Sequence, residues 1–106
     1  MEYVIRERIG GLVLAAGVLG ETVQMLEGSW YFAPETVNME HLRVSKRIYT
    51  CPYKGICHWI DMNTPRIHAQ SVAWVYEDPK PGYEMIKGHI GFSNNELQNA
   101  FVIETR

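Results

Sequence analysis

Residues 47–62 read Arg-Ile-Tyr-Thr-Cys-Pro-Tyr-Lys-Gly-Ile-Cys-His-Trp-Ile-Asp-Met, and this stretch decides how the chain folds. β-branched and aromatic residues fill both flanks, and Pro52 and Gly55 bracket the middle. Proline biases the preceding Cys51 toward extended backbone, and Gly55 is free to take the positive φ of a sharp corner. The pattern predicts two strands, near 47–52 and 56–62, that meet at a turn carrying Lys54.

The same punctuation recurs on either side. Gly10-Gly11, Gly17, Gly20, Gly28, Pro34, Pro65, Pro79, Pro81-Gly82, Gly88 and Asn94-Asn95 cut the chain into segments too short for ordinary helices. Further strands are expected near 11–16, 22–27, 29–33, 69–76, 87–93 and 101–105. Pro34-Glu35-Thr36 can open a helical turn or short helix over 35–43. A second turn is expected over 95–99. The predicted class is mainly β: one compact antiparallel domain over 1–106, sandwich-like or barrel-like, with one or two short helical turns.

Composition narrows the partners. Hydrophobic residues make up 46% of the 106 and charged residues 21%, a balance that builds a core and argues against disorder. The net charge of −2 supplies no basic field for nucleic acid. Arg43, Lys46 and Arg47 are the one local basic group, and they read as a solvated turn. The apolar run from Ile9 to Gly20 imitates a secretory core, but it is too short to span a bilayer. Glu2 and Glu7 stand where an export signal would be basic. The expectation is a soluble cytoplasmic protein with no membrane partner.

Cys51 and Cys57 are too sparse for a disulfide framework. With His58 they form a cluster that lacks the second half of a structural zinc site, so no metal is expected and both thiols read as small buried groups. Strand parity separates the neighbours further, because residues two apart share a face. Ile56, His58, Ile60 and Met62 point one way; Cys57, Trp59 and Asp61 point the other. Val72, Trp74 and Tyr76 share a face opposite Ala73 and Val75. His58 is then either a core histidine satisfied by a carbonyl or hydroxyl, or a pocket residue.

Three blocks carry a resemblance: Tyr31-Phe32-Ala33-Pro34-Glu35-Thr36-Val37, then Cys51-Pro52-Tyr53-Lys54-Gly55, then Ala73-Trp74-Val75-Tyr76 with Pro79. In order and spacing, over residues 11–93, they resemble the bacterial and fungal family catalogued as domain of unknown function 427, labelled nucleotidyltransferase-like. The resemblance implies a β-rich domain whose blocks meet around a cleft, with Tyr31, Tyr53, Lys54, Gly55, Trp74 and Tyr76 as ligand-binding positions. The chain departs from the family at Ala33 (usually proline), at Thr36 (usually aspartate), and at Cys57, His58 and Trp59, where the family has a small residue, serine and tyrosine.

No residue set closes a catalytic mechanism. Nucleotidyl transfer uses clustered carboxylates around a metal, but Asp61 and Asp78 are far apart in sequence and no phosphate loop is present. Convergence of Glu35, Glu77 and Asp78 has no support in the sequence. Lys54 as base or nucleophile, with burial lowering its pKa, and Cys51 paired with His58 or His89 stay open. A small-molecule or anion-binding cleft, with Lys54 and His58 as polar contacts between aromatic walls, ranks first. An enzyme and an interaction module, including a homodimer, stand as alternatives; no cofactor is indicated.

Overall fold

The computed structural model describes residues 1–93 and 100–106. Among them the chain forms nine strands: β1 Glu2–Glu7, β2 Val13–Val18, β3 Val23–Leu26, β4 Ser29–Phe32, β5 Leu42–Cys51, β6 Gly55–Asn63, β7 His68–Val75, β8 Ile90–Ser93 and β9 Phe101–Thr105. They make two antiparallel sheets, one ordered β2-β1-β9 and the other β3-β4-β8-β7-β6-β5. The turn expected over 95–99 lies outside the described residues.

Alternation in the six-stranded sheet explains the architecture. Trp30 and Phe32 of β4, Ile60 and Met62 of β6, Ala73 and Val75 of β7, and Ile90 and Phe92 of β8 all point to one face. There they meet Ile5, Leu14, Ala15 and Phe101 from the three-stranded sheet. Phe92 is the hub, edge-on to both Phe32 and Phe101 at centroid distances of 5.7 and 5.3 Å. Each fully buried side chain of this size contributes about 1.5–3 kcal/mol from burial. The intervening residues, Tyr31, Cys57, Trp59, Trp74 and Gly91, therefore face the opposite way, where Tyr31 and Cys57 join Cys51, Tyr76 and Ile86 in a second, smaller buried cluster flanked by Leu26, Trp74 and Tyr83.

β1 is a strand the sequence reading did not place. Its charged ends, Glu2 and Glu7, look like a flank of the apolar run, yet Tyr3 and Ile5 alternate toward the core. The segment 35–43 also departs from a short helix. Two 3-10 turns, Pro34–Thr36 and Met39–His41, are separated by extended backbone at Val37. Val37 is buried and bridges Ala15, and the Asn38 N–H donates to the Leu14 carbonyl at 2.7 Å. Burying Val37 in this way interrupts any continuous helix.

β5 lies at one edge of the large sheet and begins at Leu42, earlier than expected, because its basic residues belong to the strand. Its pairing with β6 shifts between Val44 and Ile48. The Ser45 hydroxyl donates to the Trp59 carbonyl at 2.8 Å and accepts from the Arg47 N–H at 3.2 Å, which fixes this bulge. Arg47 then reaches Asp61, which also accepts the Ser71 N–H at 2.9 Å. Ser71 sits at φ 57° opposite a matching shift between Ile60 and Met62.

Candidate functional site

The outer face of the large sheet holds a cleft of about 160 Å³, lined by Leu26, Glu27, Ser29, Tyr31, Tyr49, Lys54, Cys57, Trp59, Trp74 and Tyr76. Its aromatic wall comes from neighbouring strands. Trp74 stands edge-on to Tyr31 at 6.1 Å and to Trp59 at 5.9 Å, and Tyr49 extends the row at 6.3 Å from Trp59. Gly91 makes the row possible. A Cβ there would lie 2.5 Å from Trp74 Nε1 and 3.0 Å from Tyr31 Cε1, so any side chain would push the two rings away from the sheet.

Hydrogen-bond direction is set within this wall. Trp74 Nε1 lies 3.1 Å from the Tyr31 hydroxyl oxygen. An indole N–H only donates, so Tyr31 accepts there and keeps its own hydrogen to offer. Burial raises the Tyr31 pKa despite opposing contributions from Trp74 and Lys54, so the hydroxyl stays protonated. Deeper in, Tyr76 is raised by burial and by Cys57, and Cys57 by burial. This floor is neutral.

The corner between β5 and β6 supplies the cation. Cys51 Sγ accepts the Lys54 N–H at 3.4 Å, and the Lys54 carbonyl accepts the Lys80 N–H at 2.8 Å. Lys80 Nζ also donates to the Pro52 carbonyl at 3.0 Å, so the turn is held from both sides. Gly55 takes φ 106° to complete it. Lys54 is thereby directed inward: its side chain is only 14% exposed, and its Nζ lies 5.8 Å from the Tyr83 ring centroid.

Lys54 is already paired. Glu27 Oε2 lies 2.7 Å from its Nζ. Glu27 and Gly28 form the two-residue tip of the β3–β4 hairpin, with φ 52° and 80°, the signs of a type I′ turn. Burial opposes the Lys54 ammonium, but the Glu27 hydrogen bond and the neighbouring negative partners outweigh it, and the pKa is raised. The expected depression of this pKa is therefore corrected. Lys54 is held as a charged donor to Glu27.

Of the residues singled out from the sequence, Tyr31, Lys54, Trp74 and Tyr76 come together at the cleft. Tyr53 does not; it is 71% exposed. Gly55 shapes the turn without lining the cleft, and Cys51 is buried beneath it with Tyr31, Cys57, Tyr76 and Ile86. His58 lies on the other face, with Nδ1 3.2 Å from the Ser45 carbonyl. A carbonyl can only accept, so Nδ1 carries the hydrogen and the histidine is satisfied by backbone. His58 does not line the cleft that holds Lys54; it lines a second recess with Gly55, Ile56, Glu77, Asp78 and Lys80.

The catalytic pairings do not assemble. Cys51 is engaged by the Lys54 amide, which outweighs the opposing effect of burial and, with the Tyr53 amide, lowers its thiol pKa, while His89 Nδ1 meets the Lys87 carbonyl. Cys51 and Cys57 are free thiols on diagonal positions of the β5–β6 ladder. That offset is roughly 7–8 Å, beyond the usual span of a disulfide. Among the described residues no group of three or more His, Cys, Asp or Glu is arranged to hold a metal ion. Nor is any helix among them long and apolar enough to cross a membrane.

Glu27 is the residue that sequence reasoning missed. Its signal was the Glu27-Gly28 pair between two short strands, which marks a hairpin tip, but nothing local says which lysine the tip approaches. Trp59 was legible from parity, since it shares the Cys57 face.

No curated protein shows a significant match to the chain. A family model does match, over residues 5–103, and its description is a domain of unknown function, DUF427. The match covers both sheets and every residue of the cleft, so the chain belongs to the DUF427 family.

Proposed function

We propose that the cleft binds a small molecule consisting of one planar ring bearing a hydrogen-bond acceptor. The observation that carries this reading is the donor arrangement. Tyr31, its oxygen occupied by Trp74, offers a hydrogen toward the same space that the Lys54 ammonium enters. Donors from two elements facing an aromatic-walled recess are the usual means of orienting a small ligand. The recess of about 160 Å³ suits a single ring and its substituent and is open to solvent on one side. The nucleotidyltransferase label gains nothing from Asp61, which is tied to Arg47 and Ser71.

Titration with benzamide, a ring with a neutral acceptor, tests the reading through tryptophan fluorescence. Trp59 and Trp74 line the cleft, so binding changes their emission, and Tyr31→Phe weakens it. Unchanged emission and an unshifted thermal midpoint at millimolar benzamide, benzoate and phenol would overturn it.

A further inference from the structure

Glu27 occupies Lys54 in the way an incoming anion would. Its side chain is 48% exposed, whereas that of Lys54 is 14% exposed, so the carboxylate arrives from the solvent side of a largely sheltered ammonium. Backbone geometry gives Glu27 no reason to be there. The hairpin tip needs φ 52° at this position, which asparagine and glycine adopt more readily than glutamate. What glutamate adds is a carboxylate long enough to cross from the hairpin to the β5–β6 corner and bond Lys54 Nζ at 2.7 Å.

Charge then restricts the ligand. Lys54 and Glu27 together are neutral, so a neutral acceptor can sit at Tyr31 without disturbing them. A ligand anion beside the intact pair would meet the Glu27 carboxylate, a like charge. On Lys54 it must exchange with Glu27, and the exchange leaves the charge at the ammonium balanced. Among the described residues the other ionisable groups bearing on Lys54 are the Tyr31 hydroxyl and the Cys51 thiol, with the Tyr83 ring near the ammonium. A carboxylate reproduces the geometry Glu27 already has, and a ring carrying one fits the room available.

We infer that the ligand is a small ring-bearing monocarboxylate that takes the place of Glu27 on Lys54, with Glu27 acting as an internal competitor. This inference rests on the cleft reading above.

The test compares benzoate with benzamide on the full chain and on Glu27→Asn, which suits the type I′ turn and removes the charge. Fluorescence titration should show benzoate binding about tenfold tighter in Glu27→Asn and benzamide changed by less than about twofold. Adding Lys54→Met should abolish the benzoate gain. If Glu27→Asn does not fold, Glu27→Gln serves the same comparison. Benzamide binding with benzoate unchanged or weakened in the Glu27 variant would overturn the inference and leave the cleft reading intact. Binding of neither compound to any variant would overturn both.

Discussion

The large sheet presents two faces built from the same strands, and they differ in what their aromatic residues carry. Toward the small sheet lie Phe32 and Phe92, packed edge to face with Phe101 and closed off from water. One residue along in each strand, on the other side, lie Tyr31 and Gly91, with Trp74 leaning over the glycine. The phenylalanines have no polar tips, but Trp30 on the same face buries its indole Nε1 without a hydrogen-bond partner. On the outer face the Trp74 N–H is satisfied by the Tyr31 oxygen, and the Tyr31 hydrogen is left to offer. The inner face thus closes over its rings, whereas the outer face arranges its polar tips around a recess, and that difference locates the site there.

Substitutions on each face sharpen or break this contrast. Phe92→Ala, at the sealed hub, should cost about 3–5 kcal/mol by urea unfolding; a loss under about 1 kcal/mol would mean the inner face is not the seat of stability. Gly91→Ala should cost about 1–3 kcal/mol through overpacking against Trp74, and near-ultraviolet circular dichroism should register the displaced indole.

Asp61→Asn probes the bulge beside the cleft, with an expected loss of about 1–2 kcal/mol at neutral pH. Although burial opposes ionisation, the Ser71 amide and Arg47 hold the Asp61 carboxyl below its ordinary value of 3.8. The folded state therefore favours the ionised form. The contribution is complete above about pH 4 and is lost as pH falls through the lowered folded value. The gap between native protein and variant should narrow in acid; a constant gap would remove Asp61 from the ledger of ionised partners.

The smallest stability effect belongs to the cleft itself. Lys54→Met should change unfolding by no more than about 1 kcal/mol, since its partner Glu27 is half exposed. Yet it should weaken benzoate binding at least about tenfold. A large loss of stability with intact binding would reverse the roles assigned to the two faces.

Much of this was legible from side-chain parity. Alternation put Trp74 and Tyr76 on one face and the turn signals put Lys54 at a corner, while Tyr31 was joined to them only by the family resemblance. Four features escaped for physical reasons. β1 is central in its sheet and buries Val4, Ile5 and even Glu7, but its three charged residues hide the alternation, and the start of β5 carries charge because it borders solvent. Tyr53 is adjacent to Lys54 in the chain, but a tight turn sends neighbours in different directions. His58 sits on a face that is apolar at Ile60 and Met62, yet Ile56 at its other end is half exposed. The strand outruns the small sheet that covers it. The Glu27–Lys54 pairing joins two hairpin tips and depends on strand order, which local pattern does not encode.

The register shift in β5 also bears on how molecules behave at high concentration. A ten-residue edge strand is a template on which another chain can lay itself, amide against carbonyl, and extend the sheet without limit. Here the ribbon is kinked at Ser45, and Lys46 and Arg47 follow at once. An approaching strand meets two short in-register stretches, Leu42 to Val44 and Ile48 to Cys51, with the kink between them. Shape and charge together work against polymerisation along this border.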